Sequence, residues 1–563
     1  MKKLTLLLAL LGSVAATSAQ QRYWVFLTDK GQEAAFYLAH PETFLGPVSL
    51  ERRARMGIAV NYSDVPPSPA YVQTVGKGVN KVLMASRCLN AVAVEANDAQ
   101  IYALSALPFV KGARPVGRLI AARAAQTEFT PPARMLRTPA DDDMFEYGEA
   151  AVQNYMLNIQ ALHNRGITGK GVRVGVFDAG FLNTHKIPAF DSIRANKQIL
   201  ITRDFVDGDE NVYDTDSHGT NVLSTIAANI PGEMVGMAPH ATFILARTEK
   251  SSSETQQEEH NWVAAIEWAD SIGVDIVHSS LGYSRFDDNI GDYTYDDMDG
   301  NTSIITRGAD WAAGRGILIS ASAGNEGDGD WQYITAPCDG DSVLCVGAVD
   351  GDGVYAYFSS IGPSSDGQVK PDVVAMGENT TVANPYNNIS TSNGTSFSGP
   401  IIAGFATCLI QAHPKRSNME IIKAIQLSGD QYNFPDDFYG YGIPNAAIAD
   451  SLLANVTDLE TVEMPGDEKP SRTKEREAKE EIVFAEEPLS GYAFEGGFLK
   501  ISSESEITFV QLMRGGQKVI FLDAKAMKMT PNEVLIDAKY LLDGDYYYYI
   551  ETLDYEENVK FSK

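Results

Sequence analysis

Between Val172 and Val349 the sequence changes its apolar period repeatedly, and this alternation limits the fold more than any other feature. Val172-Arg173-Val174-Gly175-Val176-Phe177 reads as a buried strand that ends in Asp178-Ala179-Gly180. A strand over Thr242 to Ala246 follows, then a helix over His260 to Ile272 and a strand over Asp275 to Ser279. A helix over Thr306 to Arg315 and strands over Ile317 to Ala321 and Ser342 to Val349 complete the run. Such alternation predicts an α/β fold with a doubly wound, mostly parallel sheet. Reactive groups in that architecture gather at the carboxyl ends of strands, where Asp178 and Ala323-Gly324-Asn325 fall.

The whole chain of 563 residues is too long for one core. Lys2 and Lys3, the apolar run Leu4 to Leu11, and Thr17-Ser18-Ala19 form the three parts of an export signal over residues 1–19. Because that run is too short to span a bilayer and no later one is long enough, the expectation is a secreted or cell-surface protein with no transmembrane helix. A formal net charge of -29 repels nucleic acid and anionic membrane surfaces alike. Cys338 and Cys345 flank a turn-rich Asp339-Gly340-Asp341-Ser342 and are the expected disulfide, two free thiols being the alternative. Cys408 reads as a core residue and Cys88 as a free thiol.

Residues 20–117 alternate as strand, helix, strand, helix and strand, which predicts a compact α+β domain of ferredoxin-like order without a catalytic constellation. Residues 118–145 read as an exposed connector, and a helical stretch from Ala150 to Arg165 opens a domain spanning 146–455. The charged run over 456–487 reads as a solvated linker. Short β-like runs fill 488–563, separated by turns at Gly515-Gly516 and Asp543-Gly544, and predict a small antiparallel sandwich.

Four stretches of the α/β segment carry chemistry. Ser396, in Asn393-Gly394-Thr395-Ser396-Phe397-Ser398-Gly399-Pro400, precedes an apolar helical run from Ile401 to Ile410. Its hydroxyl suits a helix cap or a nucleophile. His218, in Asp216-Ser217-His218-Gly219-Thr220, falls at a helix start, and Asp178 could hold the second nitrogen of such a histidine. Asn325, in Ser322-Ala323-Gly324-Asn325-Glu326-Gly327, offers an amide to an oxyanion.

With Asp178, His218, Asn325 and Ser396 in that order, the chain resembles the subtilisin-like (S8) serine peptidases over about Gln153 to Ala449. Gly236-Met237-Ala238-Pro239, Lys370-Pro371-Asp372 and Tyr441-Gly442-Ile443-Pro444-Asn445-Ala446 support the match. The resemblance implies acyl transfer: Ser396 attacks a peptide carbonyl, His218 takes its proton, Asp178 orients His218, and Asn325 receives the oxyanion. It gives Ser280, Leu281, Gly282, Ala323 and Gly324 the lining of a substrate pocket. It also makes the N-terminal domain an inhibitory propeptide, and protein or peptide substrates the partners. The C-terminal domain looks loosely like the sorting domains of a type IX secretion machinery in Bacteroidetes-like bacteria, a binding or stabilising β-module being the competing reading.

Three departures from the family pattern stand out: Ala179 after the aspartate, Asn221 in place of a second histidine, and Ser398 where an alanine is expected. The chemistry requires no cofactor. Asp297, Asp299 and Asn301 space oxygen ligands as a structural calcium would need, although a solvated turn has the same composition. Two other functions share parts of this pattern. An α/β-hydrolase esterase needs Ser, then acid, then His, with a Gly-x-Ser-x-Gly elbow, and Ser398 breaks that motif. A catalytically inactive binding or adhesion protein of the same fold would not need all four groups.

Overall fold

The computed structural model describes residues 21–116, 143–287, 291–459, 461, 462 and 464, together with strands between 490 and 562. The expected export signal and most of both the connector and the charged linker lie outside the described residues. The chain divides into two compact units, residues 1–469 and 470–563.

A seven-stranded sheet forms the centre of the first unit: β1 (Arg173–Asp178), β2 (Ile199–Asp204), β3 (Thr242–Arg247), β4 (Ile276–Ser279), β5 (Leu318–Ser322), β6 (Val343–Val349) and β7 (Val373–Met376). Across the sheet the order is 7-6-5-4-1-3-2, and every neighbouring pair is parallel. β4, β5, β6 and β7 are buried at every position, which explains why they read as continuous apolar runs rather than alternating ones. Strand order reverses around β1, with β3 on one side and β4 on the other, so Asp178 ends its strand at the topological switch.

Three helices matter for the site: α1 (His218–Ala227), α2 (Gln256–Ile272) and α3 (Thr395–Ala412). α2 begins a turn before the apolar pattern does, because Thr255 and Glu258 close a capping box. α3 has the length and hydropathy of a membrane span, but it is buried almost throughout as the central helix of the core. The helix expected over Ala150 to Arg165 is two short ones, Ala151–Met156 and Gln160–His163, parted where Asn158 takes a positive φ of 56°.

Residues 21–116 form a four-stranded antiparallel sheet in the order Lys81–Ser86, Ala91–Ala96, Gln21–Leu27, Val110–Val116. With helices Pro69–Gly78 and Asp98–Ser105 in its connections, this is the ferredoxin-like order. Trp24 of this domain is fully buried in one apolar cluster with Phe177 of β1 and Trp262 of α2.

In the second unit two four-stranded antiparallel sheets are described. One orders Ser490–Glu495, Phe498–Ser503, Glu533–Asp537 and Met527–Thr530; the other orders Gln517–Lys518, Ile507–Arg514, Asp545–Thr552 and Glu556–Ser562. The sequence predicts strands near 498–502, 507–512, 519–522, 534–536 and 546–553; Ser490–Glu495, Gln517–Lys518, Met527–Thr530 and Glu556–Ser562 are additional to these. The run Val519 to Leu522 and the two turns lie outside the described residues.

Trp262 stacks edge-on against Phe177 at 5.7 Å and donates its indole N–H to Ser279 Oγ at 3.0 Å. Trp262→Ala leaves both a cavity and an unpaired hydroxyl between α2 and the sheet. Its expected cost is about 3–5 kcal/mol, read from denaturant unfolding against the parent chain.

Candidate active site

Asp178 is fully buried at the end of β1. Ala179 N donates to its Oδ1 at 2.8 Å, and His218 Nδ1 lies 2.9 Å from Oδ1 and 3.0 Å from Oδ2. A buried carboxylate needs such donors, since an unpaired charge there is strongly unfavourable. With Nδ1 engaged as the donor, Nε2 is left as the basic nitrogen of the neutral ring. The approach of α1 to β1 depends on Gly219. A Cβ at this position would stand 2.4 Å from the Gly180 carbonyl oxygen and 2.9 Å from Asp178 Cβ.

Burial alone would push the His218 pKa down. The charge and hydrogen bond of Asp178, joined by Asp216 and Glu249, outweigh it and lift the pKa to about 9. The imidazole side chain is 33% exposed, so solvent screens part of that attraction. Because the folded-state pKa is raised, the pair contributes its full stability below the ordinary histidine range and loses it as pH rises through about 9. Nearby Glu249, which accepts from the Tyr283 hydroxyl, is raised to about 8 by burial and by the charge of Glu258.

Ser396 sits in the first turn of α3, so the helix begins six residues before the expected Ile401. Gly394 caps it at φ 143°, a conformation suited to glycine. Pro400 lies inside the helix and has no N–H to offer, which leaves the Ser396 carbonyl without its helical donor. Ser280 Oγ fills that role at 2.9 Å. Ser280 is in turn 2.7 Å from Nε2 of His278, a fully buried imidazole whose pKa is pushed down to about 3 by burial. Since the Ser280 proton goes to the carbonyl, the neutral His278 carries its proton on Nε2. The Ser396 hydroxyl itself makes one long contact, 3.5 Å to the Ser280 carbonyl, and no hydrogen bond links it to His218 among the described residues. The next residue, Phe397, has its ring centroid 5.9 Å from that of His218.

Asn325 is locked by α3. Its Oδ1 accepts from Thr395 N at 2.8 Å and from Thr395 Oγ1 at 3.0 Å, which fixes the amide with Nδ2 as the outward donor. Nδ2 and the Ser396 N lie close to one another: a Cβ placed on Gly394 would stand 3.6 Å from each.

A cavity of about 260 Å³ opens beside Ser396 and is lined by Ser280, Leu281, Gly282, Gly324 and Asn325. Ala323, expected among them, lies behind the wall, fully buried, with its N–H on the Val346 carbonyl. Glu254, Arg285 and Thr335 also line the cavity, and no motif in the sequence marks them. Cys338 and Cys345 are bonded, with Cα atoms 4.9 Å apart; Cys88 and the buried Cys408 are free.

Asp297, Asp299 and Asn301, the calcium candidates, are turn-forming groups. Asp297 accepts from Thr294 N and Oγ1, while Asp299 accepts from the backbone of Asn301 and Thr302. Among the described residues no group of three or more His, Cys, Asp or Glu lies close enough together to hold a metal ion. Of the three departures, Ser398 is accommodated by donating to the Thr395 carbonyl at 3.1 Å, and Ala179 anchors Asp178 through its backbone. Asn221 Oδ1 is buried without a partner among the described residues, and nothing in the structure explains the choice of asparagine.

An aspartate, a histidine and a serine in this chain order, set at the carboxyl edge of a parallel sheet, define a subtilisin-like hydrolase rather than an α/β-hydrolase. Comparison with known proteins agrees. Residues 169–442 match the subtilase family, and residues 22–130 match the peptidase S8 propeptide domain of Bacteroidota. Subtilisin NAT of Bacillus subtilis subsp. natto is 31% identical over 293 residues, which cover 51% of this chain and 68% of that protein. Subtilisin DY of Bacillus licheniformis is 30% identical over 298 residues, covering 52% and 96% respectively. Subtilisin Savinase of Lederbergia lenta is 29% identical over 290 residues, covering 51% and 94%. The chain belongs to the subtilase family of serine endopeptidases and carries that family's propeptide domain at its N-terminal side.

Protonation of His218 gives a direct check on the electrostatics. In the Ser396→Ala chain, the imidazole should titrate by NMR near the raised value of about 9. Asp178→Asn in the same background removes the carboxylate charge, and the midpoint should fall toward the ordinary histidine range.

Proposed function

We propose that the protein is an exported endopeptidase that cleaves peptide bonds through an acyl-enzyme, with Ser396 as nucleophile, His218 as general base and Asp178 as the group that orients it. The observation that carries this reading is the buried Asp178–His218 pair beside a serine in the first turn of a helix, with Asn325 fixed as a donor by the same helix. The serine hydroxyl, restrained by a single long contact, is free to turn toward the basic nitrogen as substrate arrives; such bonds commonly tighten only in the complex. Attack moves the hydroxyl proton to His218 and turns the scissile carbonyl into an oxyanion. Asn325 Nδ2 and the Ser396 N–H, which lie close to one another, receive that charge. His218 then protonates the leaving amine. Water, deprotonated by the same imidazole, releases the acyl group and restores Ser396.

The cavity beside Ser396 takes a substrate side chain. Export is supported by the charged, apolar and small-residue segments at residues 1–19, and by a disulfide, which suits an oxidising compartment. The domain at residues 21–116 holds the enzyme inactive until it is removed, and the C-terminal sheets serve sorting by the secretion machinery.

Ser396→Ala should abolish hydrolysis of a peptide substrate while the chain remains folded. Asn325→Ala should lower kcat by about a hundred- to a thousandfold, with a smaller change in KM. Steady-state kinetics on the mature protein measure both, and undiminished turnover in Ser396→Ala would refute the assignment.

A further inference from the structure

α2 ends in an arrangement that its own sequence does not favour. Asp270 occupies the last turn, where the helix already presents partial negative charge, and no basic residue accompanies it there. It is also fully buried. A carboxylate in such a place is tolerated only when cations are brought to it, and all three that bond it come from the propeptide domain. Arg52 Nη2 is 2.5 Å from Asp270 Oδ1; Arg53 Nη2 is 3.0 Å from Oδ1 and 2.9 Å from Oδ2; Arg87 Nη2 is 3.3 Å from Oδ2. Arg52 and Arg53 are each 1% exposed. Despite burial, which would raise it, the Asp270 carboxyl is held below the usual carboxylate range by Arg52, Arg87 and Arg53.

The surroundings build the contact into an interlocked junction. Arg52 also donates to the Val274 and Arg315 carbonyls, while Arg315 of the catalytic domain reaches back to Asp64 at 2.9 Å. Glu267, one turn before Asp270, accepts from Ser86 Oγ and from the backbone of Arg87 and Cys88. Gly46 N donates to the Ser271 carbonyl, setting the start of helix Pro47–Arg55 against the end of α2. Arg53 also donates to Asp64 Oδ1 at 3.1 Å and Arg87 Nε lies 3.6 Å from Glu267, but Asp270 is the one carboxylate among the described residues that bonds all three guanidinium groups.

We propose that Asp270 is the residue that retains the propeptide domain on the catalytic domain. The face it centres is a docking surface for a partner bearing three converging arginines, and that partner is the chain's own residues 21–116. Cutting the connector therefore does not release the domain. It stays docked until the Asp270 junction opens, so the junction sets when the active site is freed. This rests on residues 21–116 being the propeptide, but docking can be measured without peptidase activity.

The test uses the full chain carrying Ser396→Ala, nicked in the connector by an added protease and then followed by size-exclusion chromatography over time. In the parent the two pieces should co-elute. Asp270→Asn should release the N-terminal piece about a hundredfold faster or more, as expected when one partner of a buried ionic junction is removed. Arg53→Gln should act in the same direction. The double variant should fall well short of the product of the two single effects, because both remove one interaction. Arg55→Gln, which removes the partly exposed pair with Asp275, should change release by less than about fivefold. Retention in Asp270→Asn as long as in the parent, or fully multiplicative effects in the double variant, overturns the proposal. If Asp270→Asn does not accumulate as folded protein, Arg53→Gln and Arg52→Gln decide the matter, and parent-like retention in both overturns it.

Discussion

The site depends on how the first turn of a wholly buried helix satisfies its backbone. α3 enters the core at Gly394, where its first N–H groups lack helical acceptors and Pro400 leaves the Ser396 carbonyl without its helical donor. Residues at the ends of neighbouring strands meet that need. Ser322 Oγ donates to the Thr395 carbonyl, Ser280 Oγ to the Ser396 carbonyl, and Asn325 Oδ1 accepts the Thr395 N–H. β4, β5 and α3 are thereby stitched together at the point where Ser396 emerges. The same bonds that make the burial tolerable leave one Asn325 donor and the Ser396 N–H uncommitted. These donors are fixed in place before any charge develops, the condition under which such groups stabilise an oxyanion.

Charge around His218 is arranged in layers. Asp178 is sealed from solvent and engaged directly, whereas Asp216 and Glu249 act from further out. Glu249 is itself raised to about 8 by burial and by the charge of Glu258, so its negative charge is present only toward alkaline pH. The histidine therefore feels a field that strengthens as pH rises, which helps keep its pKa high. His278, under α3, shows the opposite case. Without a carboxylate partner its burial prevails, it stays neutral, and it serves as a fixed donor to Ser280.

The parallel sheet and the order Asp178, His218, Asn325, Ser396 were legible because each rests on local pattern: apolar runs for strands, glycines where two backbones come close, and small polar residues at a helix start. The ferredoxin-like order of residues 21–116 was legible for the same reason. Limits appear where a property is shared between distant segments. The true start of α3 was hidden because Pro400 looks like a boundary until Ser280, 116 residues away, is known to replace the missing donor. Ala323 shares its motif with Gly324, yet its side chain is fully buried while Gly324 lines the cavity, because adjacent residues of an extended segment face opposite ways. Asp297 and Asp299 have calcium-like spacing, and in the structure each carboxylate bonds the backbone of its own turn, a use that the sequence does not distinguish.

The junction at Asp270 was illegible for a deeper reason. Arg52-Arg53 reads in sequence as an ordinary basic pair on a short amphipathic helix, and a chain with net charge -29 gives no reason to expect arginines to be buried. Only tertiary structure brings Arg52, Arg53 and Arg87, separated by 35 residues at the widest, onto one carboxylate from another domain. Planar guanidinium groups make this packing feasible, since each can divide its donors between a carboxylate and backbone carbonyls, as Arg52 and Arg87 both do. Three lysines could not repeat it: each would bring a compact, strongly hydrated charge into a site without water. A contact of this kind is costly to leave half-made, so it favours two states, fully docked or fully apart, which is what a temporary inhibitor of a protease requires.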